Sequence, residues 1–196
     1  MTLTPALLRT LALRDPANAA ILARLPALAA PEAHLVAGSI FQAVWNHRGG
    51  RPPGEGIHDY DIFYFDDADL SWDAEDRVIR RAAALFGDLG VAVEVRNQAR
   101  VHLWYPARFG APYPRLRSAR DGIDRFLVAC TCIGLAADGT PYAPDSLDDL
   151  WHGRLRINPR HRQPAQFPAK AASYRRRWPW LSVEDPAGRG PTDPSA

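Results

Sequence analysis

The run His58-Asp59-Tyr60-Asp61-Ile62-Phe63-Tyr64-Phe65 constrains this chain more than any other stretch. Its aromatic and β-branched residues suit a pleated strand, and a strand sends successive side chains to opposite faces. Asp59 and Asp61 therefore leave the same face, close together. Two carboxylates held that way repel unless a positive charge sits between them. A divalent cation is the usual answer, and Mg²⁺ bound by carboxylates is a common way to manage a nucleotide's phosphates. The competing reading is an acidic strand start that simply faces water.

A chain of 196 residues with ordinary apolar and charged content builds one domain with a core and a few appendages. The formal net charge of +2 argues against broad coating of nucleic acid. Lys170 is the only lysine, so no Gly-Lys-Ser/Thr phosphate loop exists. Phosphate binding must then use backbone amides, hydroxyls, arginine or metal. No apolar run reaches membrane-spanning length, and the N-terminal residues lack the pattern of a signal peptide. A cytoplasmic protein with no membrane partner is the expectation. Cys130 and Cys132, two apart on an expected strand, point to opposite faces and read as small buried residues rather than a bridge.

Residues 4–13 and 16–25 read as two short helices broken at Asp15-Pro16. A short strand over His34–Ala37 leads to a helix that starts at Gly38-Ser39. Residues 48–57 form a Gly/Pro loop before the Asp59 strand. Ser71 is a good N-cap, and acids in the first turn suit the helix dipole. Val78, Ile79, Ala82, Leu85, Phe86 and Leu89 follow at helical spacing up to Gly90. Val91–Arg96 and Arg100–Tyr105 read as strands, with Asn97 and Gln98 in a turn between them. Ser118 and Asp121 suggest a capped helix through Ala129. Residues 130–143 suggest a hairpin turning at Asp138-Gly139. Short helices are expected near Leu147–Trp151 and over Lys170–Trp178. The tryptophans are expected to pack the core and pin the tail, and Arg175-Arg176-Arg177 to lie on a solvated helix face. Helices alternate with strands early and strand pairs follow, so the fold class is α/β (α+β), a mixed sheet flanked by helices.

Three elements that could carry chemistry stand in order. Gly38-Ser39 follows a strand and opens a helix, and unpaired amides at a helix N-terminus suit phosphate oxygens. Asp59 and Asp61 come about twenty residues later. Glu94 interrupts a β-branched strand, on the face opposite Val91, Val93 and Val95. If that strand neighbours the Asp59 strand, three acids share a site, and three acids can hold two metals.

The strings Val36-Ala37-Gly38-Ser39, Asp59-Tyr60-Asp61-Ile62-Phe63-Tyr64-Phe65-Asp66 and Glu94-Val95-Arg96-Asn97-Gln98-Ala99-Arg100-Val101-His102 resemble a bacterial nucleotidyltransferase-like family. It belongs to the superfamily that includes DNA polymerase beta and the aminoglycoside nucleotidyltransferases. The resemblance runs from about Leu35 to Leu181. It departs at residues 143–150, where a Phe-Gly pair is expected after the proline. The resemblance implies a nucleotidyltransferase-type sheet in residues 1–158. A Pro/Arg-rich extension over 159–196 would pack on it and end in disorder. By the same likeness Asp59, Asp61 and Glu94 are catalytic and bind two Mg²⁺ (or Mn²⁺), and Glu94 helps deprotonate an acceptor hydroxyl. Gly38 and Ser39 would contact the β and γ phosphates, with Asn97 and Arg100 as further nucleotide-binding candidates. The expected reaction moves a nucleoside monophosphate from a nucleoside triphosphate to an unknown acceptor (a small molecule, a protein or an RNA end) and releases pyrophosphate. The alternative is a nucleotide-binding or antitoxin-like partner protein of the same fold with little turnover.

Overall fold

The computed structural model describes residues 2–145 and 147–184. Two helices led by proline open the chain: α1 (Pro5–Ala12), capped by the Thr4 hydroxyl, and α2 (Pro16–Arg24), capped by Asp15. Proline is at home there, because a first-turn N–H has no intrahelical partner to lose. Strand β1 (His34–Val36) runs into α3 (Gly38–Arg48). Strand β2 (Asp59–Tyr64), helix α4 (Trp72–Phe86, capped by Ser71) and strand β3 (Ala92–Asn97) follow. Helices α5 (Val101–Phe109) and α6 (Ala119–Ile123) precede the hairpin β4 (Gly134–Ala136) and β5 (Pro141–Tyr142). Helix α7 (Leu147–His152), strand β6 (Arg154–Leu155), helix α8 (Phe167–Arg177) and strand β7 (Ser182–Val183) complete the described chain.

The main sheet has five strands in the order β3-β2-β1-β4-β5. Only β2 and β3 pair in parallel, the α4 crossover joining them; the rest pair antiparallel, giving the mixed α/β sheet the sequence leads one to expect. Register fixes the two faces of β2. Ile62 lies beside Leu35 and Val95, all three buried, and this face takes the apolar stripe Val78, Ala82 and Phe86 of α4. The Tyr60 hydroxyl donates to Asp15 (2.8 Å), which ties that face to the cap of α2. Asp61 lies beside Val36 and Glu94 on the opposite face.

The chain after residue 158 is part of the same core. Tyr174 meets Phe41 and Trp45 at 5.3 and 5.2 Å, and Trp178 meets Trp45 at 5.3 Å. The Trp178 indole N–H donates to Asn46 (2.9 Å), whose amide in turn holds the carbonyls of Pro53 and Glu55. The small sheet of β6 and β7 spans residue 158 as well. The terminal stretch expected to be disordered lies outside the described residues from 185 onward.

Four local expectations change. Arg100–Tyr105 is helical, because the Asn97 side chain accepts from the Ala99 amide (3.1 Å) and starts a turn that continues into α5. This local cap overrides the strand preference of Val101, Trp104 and Tyr105. Helix α6 stops at Ile123 rather than Ala129, since the chain must straighten to bridge Val128 with Ile157. Cys130 and Cys132 sit in and after a tight helical turn, not on a strand, and both are buried free thiols. Trp72 is exposed rather than core. Among the described residues no helix is long and apolar enough to cross a membrane.

Candidate active site

The site begins with a strained residue. Ala37 has φ 49° and ψ −111°, a region that residues with a Cβ rarely adopt, at a typical cost of about 1–3 kcal/mol. Its N–H donates to the Ile133 carbonyl (2.9 Å), and its own carbonyl accepts from Ile40 and Phe41, so the neighbouring strand and the helix enforce the conformation. The kink turns β1 directly into the first turn of α3, whose leading amides have no intrahelical partner. Gly38 stands there because space is short: a Cβ would lie 3.1 Å from the Gln42 amide nitrogen and 3.9 Å from an Asp59 oxygen. Ser39 is fully buried. Its hydroxyl finds no partner, and its carbonyl accepts from Asn18 (3.0 Å).

Gly38, Asp59 and Asp61 line one cleft of ≈ 750 Å³. Helix α3 adds Gln42, and helix α8 supplies a cationic wall of Lys170, Arg176 and Arg177. Arg177 is oriented by donating to the Gln42 side chain (2.9 Å) and the Gly56 carbonyl (3.3 Å). Tyr105, Phe109, Arg125, Phe126 and His161 also line it. Burial pushes the Asp61 carboxyl up to about 7, reinforced by the charges of Asp59 and Glu94; Arg96 and Lys170 act the other way. Burial and Arg177 lower the Lys170 ammonium, while Asp59 and Asp61 raise it. The carboxylate pair and the lysine therefore feel each other across the cleft.

The other expected site residues separate. Glu94 does neighbour Asp61, side by side in the parallel β2–β3 register. It lies on the edge strand, however, and its carboxylate pairs with Arg96 (3.2 Å) instead of lining the cleft. Among the described residues no three acid, histidine or cysteine side chains converge at metal-holding distance, so a cation here would rest on Asp59 and Asp61 first. Asn97 is buried, with its amide side chain exchanging hydrogen bonds with Asp66 and capping the Ala99 turn. Arg100 forms a buried ion pair with Glu75 and donates to the Leu70 carbonyl (2.9 Å). Both stand outside the cleft, because the turn at residue 97 points that segment at α4.

Lys170, Gln42, Arg125 and Arg177 belong to the cleft, a placement the sequence does not reveal. Lys170 had one usable signal: it is the only lysine of a chain whose other basic residues are arginine. Arg176 and Arg177, expected on a solvated face, line the cleft because Tyr174 on the same helix and Trp178 just after it are drawn into the core.

A family model described as nucleotidyltransferase matches residues 23–183. A solved structure described as revealing a CCA-adding enzyme head domain superposes with a TM-score of 0.69 at 20% identity, over 93% of this chain and 96% of that one. A tRNA-processing enzyme in an apo form aligns with a TM-score of 0.47 at 12% identity, over 94% of this chain and 45% of that one. The search of curated proteins finds no match. The head-domain likeness establishes the fold.

Proposed function

Since the chain belongs to a nucleotidyltransferase family, we propose that it moves a nucleoside monophosphate from a nucleoside triphosphate to an acceptor hydroxyl. The observation that carries this reading is one cleft lined by Gly38, Asp59, Asp61, Lys170 and Arg177. The acceptor oxygen attacks the α-phosphorus. A new O–P bond forms as the bond to the α–β bridging oxygen breaks, and the electron pair leaves on pyrophosphate. Lys170, Arg177 and the amide end of α3 at Gly38 hold the negative charge of the leaving phosphates; fully buried Ser39 stands behind it. Glu94, beside Asp61 at the sheet edge, takes the proton of the acceptor hydroxyl only after its carboxylate leaves Arg96 for the cleft.

Asp59 and Asp61 fit a divalent cation. Burial and like charge disfavour the ionised Asp61 carboxyl, a cation between the two removes that penalty, and Mg²⁺ needs only one or two carboxylates beside water and phosphate oxygens. Mg²⁺ or Mn²⁺, when bound, neutralises charge on the transferring phosphoryl group.

The test supplies each α-labelled nucleoside triphosphate with Mn²⁺ and a mixture of RNA, protein and small-molecule acceptors. Label should move into one acceptor class with release of pyrophosphate, and Asp59→Asn or Asp61→Asn should slow it at least about a hundredfold. Unchanged turnover in both variants would remove the reaction from this cleft. Stabilisation by nucleotide without pyrophosphate release for all four would instead indicate a nucleotide-binding protein.

A further inference from the structure

We propose that the aromatic end of the cleft is a nucleobase subsite, formed by Phe109, Tyr105 and Phe126, with Arg125 addressing the edge of the base. This rests on the nucleotidyl-transfer reading and deepens it, because it gives the cleft a direction. Gly38 lies against Gln42 and Asp59, and Arg177 donates to the Gln42 side chain and to the Gly56 carbonyl just before Asp59, so the phosphate-binding groups gather at the Asp59 end. Residues two apart on a strand are about 7 Å apart along it. Past Asp61 on the same face of β2 comes Phe63, stacked on Phe126 with ring centroids 5.5 Å apart and planes at 24°. Phe126 lines the cleft. The order along the cleft is therefore amides and cations, then carboxylates, then aromatic rings. A nucleoside triphosphate has the matching order of phosphates, sugar and flat base.

Two further features point to an aromatic, acceptor-bearing ligand. Phe109 lines the cleft yet is 47% exposed, although its ring meets Tyr105 at 4.6 Å, Trp104 at 6.4 Å and the Arg108 guanidinium at 5.5 Å. Arg125 also lines the cleft, with its guanidinium held over the Tyr113 ring at 5.0 Å. A guanidinium carries a fork of donors, and the edges of nucleobases carry ring nitrogens and carbonyl oxygens that accept such bonds. Stacking accepts any base, since every base has a π-face. Discrimination then falls to Arg125, which favours bases that turn an acceptor towards it.

The experiment compares binding of each nucleoside triphosphate with binding of inorganic tripolyphosphate, both with Mg²⁺, to the wild type and to Phe109→Ala. Phe109 is half in solvent, so the variant should fold, and retained tripolyphosphate binding verifies that it does. The wild type should bind at least one nucleoside triphosphate about tenfold more tightly than tripolyphosphate, and Phe109→Ala should erase that difference without changing tripolyphosphate affinity. Arg125→Lys should narrow the spread of affinities among the four bases. Equal wild-type affinities for nucleotide and tripolyphosphate, or nucleotide affinity untouched by Phe109→Ala, would overturn the subsite and leave nucleotidyl transfer standing. If neither nucleotide nor tripolyphosphate binds, the reading of the whole cleft falls, and the subsite with it.

Discussion

His34 is a buried titratable group whose contribution to stability depends on pH. It is 4% exposed, its Nδ1 meets the Glu32 carbonyl at 2.6 Å, and its Nε2 is buried without a partner. Burial holds the imidazole below its ordinary range. Arg120 adds to that, and Glu32 and Asp138 oppose it. The native state therefore keeps the ring neutral, whereas the unfolded chain takes up a proton near pH ~6.5. The stabilisation is complete above that pH and is lost as pH falls from it through the lower folded value. Denaturant midpoints between pH 5 and 8 should show this slope in the wild type and a flatter one in His34→Gln; parallel curves would refute it. Asp61 shows the opposite sign of perturbation, a carboxyl raised by burial and by two like charges. Its sequence position revealed the like charge of Asp59, but only folding brought Glu94 alongside it.

At the scale of elements, helix α8 does two jobs with two faces. Tyr174 and Trp178 go into the core against Phe41 and Trp45, while Lys170 and Arg177 face the carboxylates. Trp178 is buried to 1% and also bonds Asn46, which holds the loop between α3 and β2. Trp178→Ala should therefore cost about 3–5 kcal/mol, read by urea unfolding. A loss well under 1 kcal/mol would mean that α8 docks only loosely. Helix α3 has a similar division, with the strained Ala37 aiming its first turn and its aromatic residues anchoring its flank. The start of α3 was legible from Gly38-Ser39. The strain at Ala37 was not, because alanine gives no sign of positive φ and the conformation depends on the Ile133 carbonyl.

For the whole molecule, the cleft is assembled from residues as far apart in sequence as Gly38 and Arg177, carried by α3, β2, α5 and α8. A ligand that bridges them should stabilise the fold as one unit. Nucleoside triphosphate with Mg²⁺ at a hundred times its Kd should add about 2.7 kcal/mol, and one cooperative transition should shift upward in a thermal melt. A shift confined to one of two separate transitions would show that the C-terminal elements unfold independently. The sequence by itself determined the local features: the alternation that sends Asp59 and Asp61 to one face, the helix start at Gly38, the cap at Ser71 and the hairpin turn at Gly139. These rest on backbone geometry and near-neighbour chemistry, which are written in order along the chain. Tertiary structure alone decided the rest. Strand pairing set Glu94 beside Asp61 and then left it at the edge with Arg96. The turn at Asn97 carried Arg100 to Glu75. Burial of Trp178 swung the only lysine to the carboxylates. Each of these depends on contacts between residues distant in sequence, and a one-dimensional pattern holds no record of which distant partner wins.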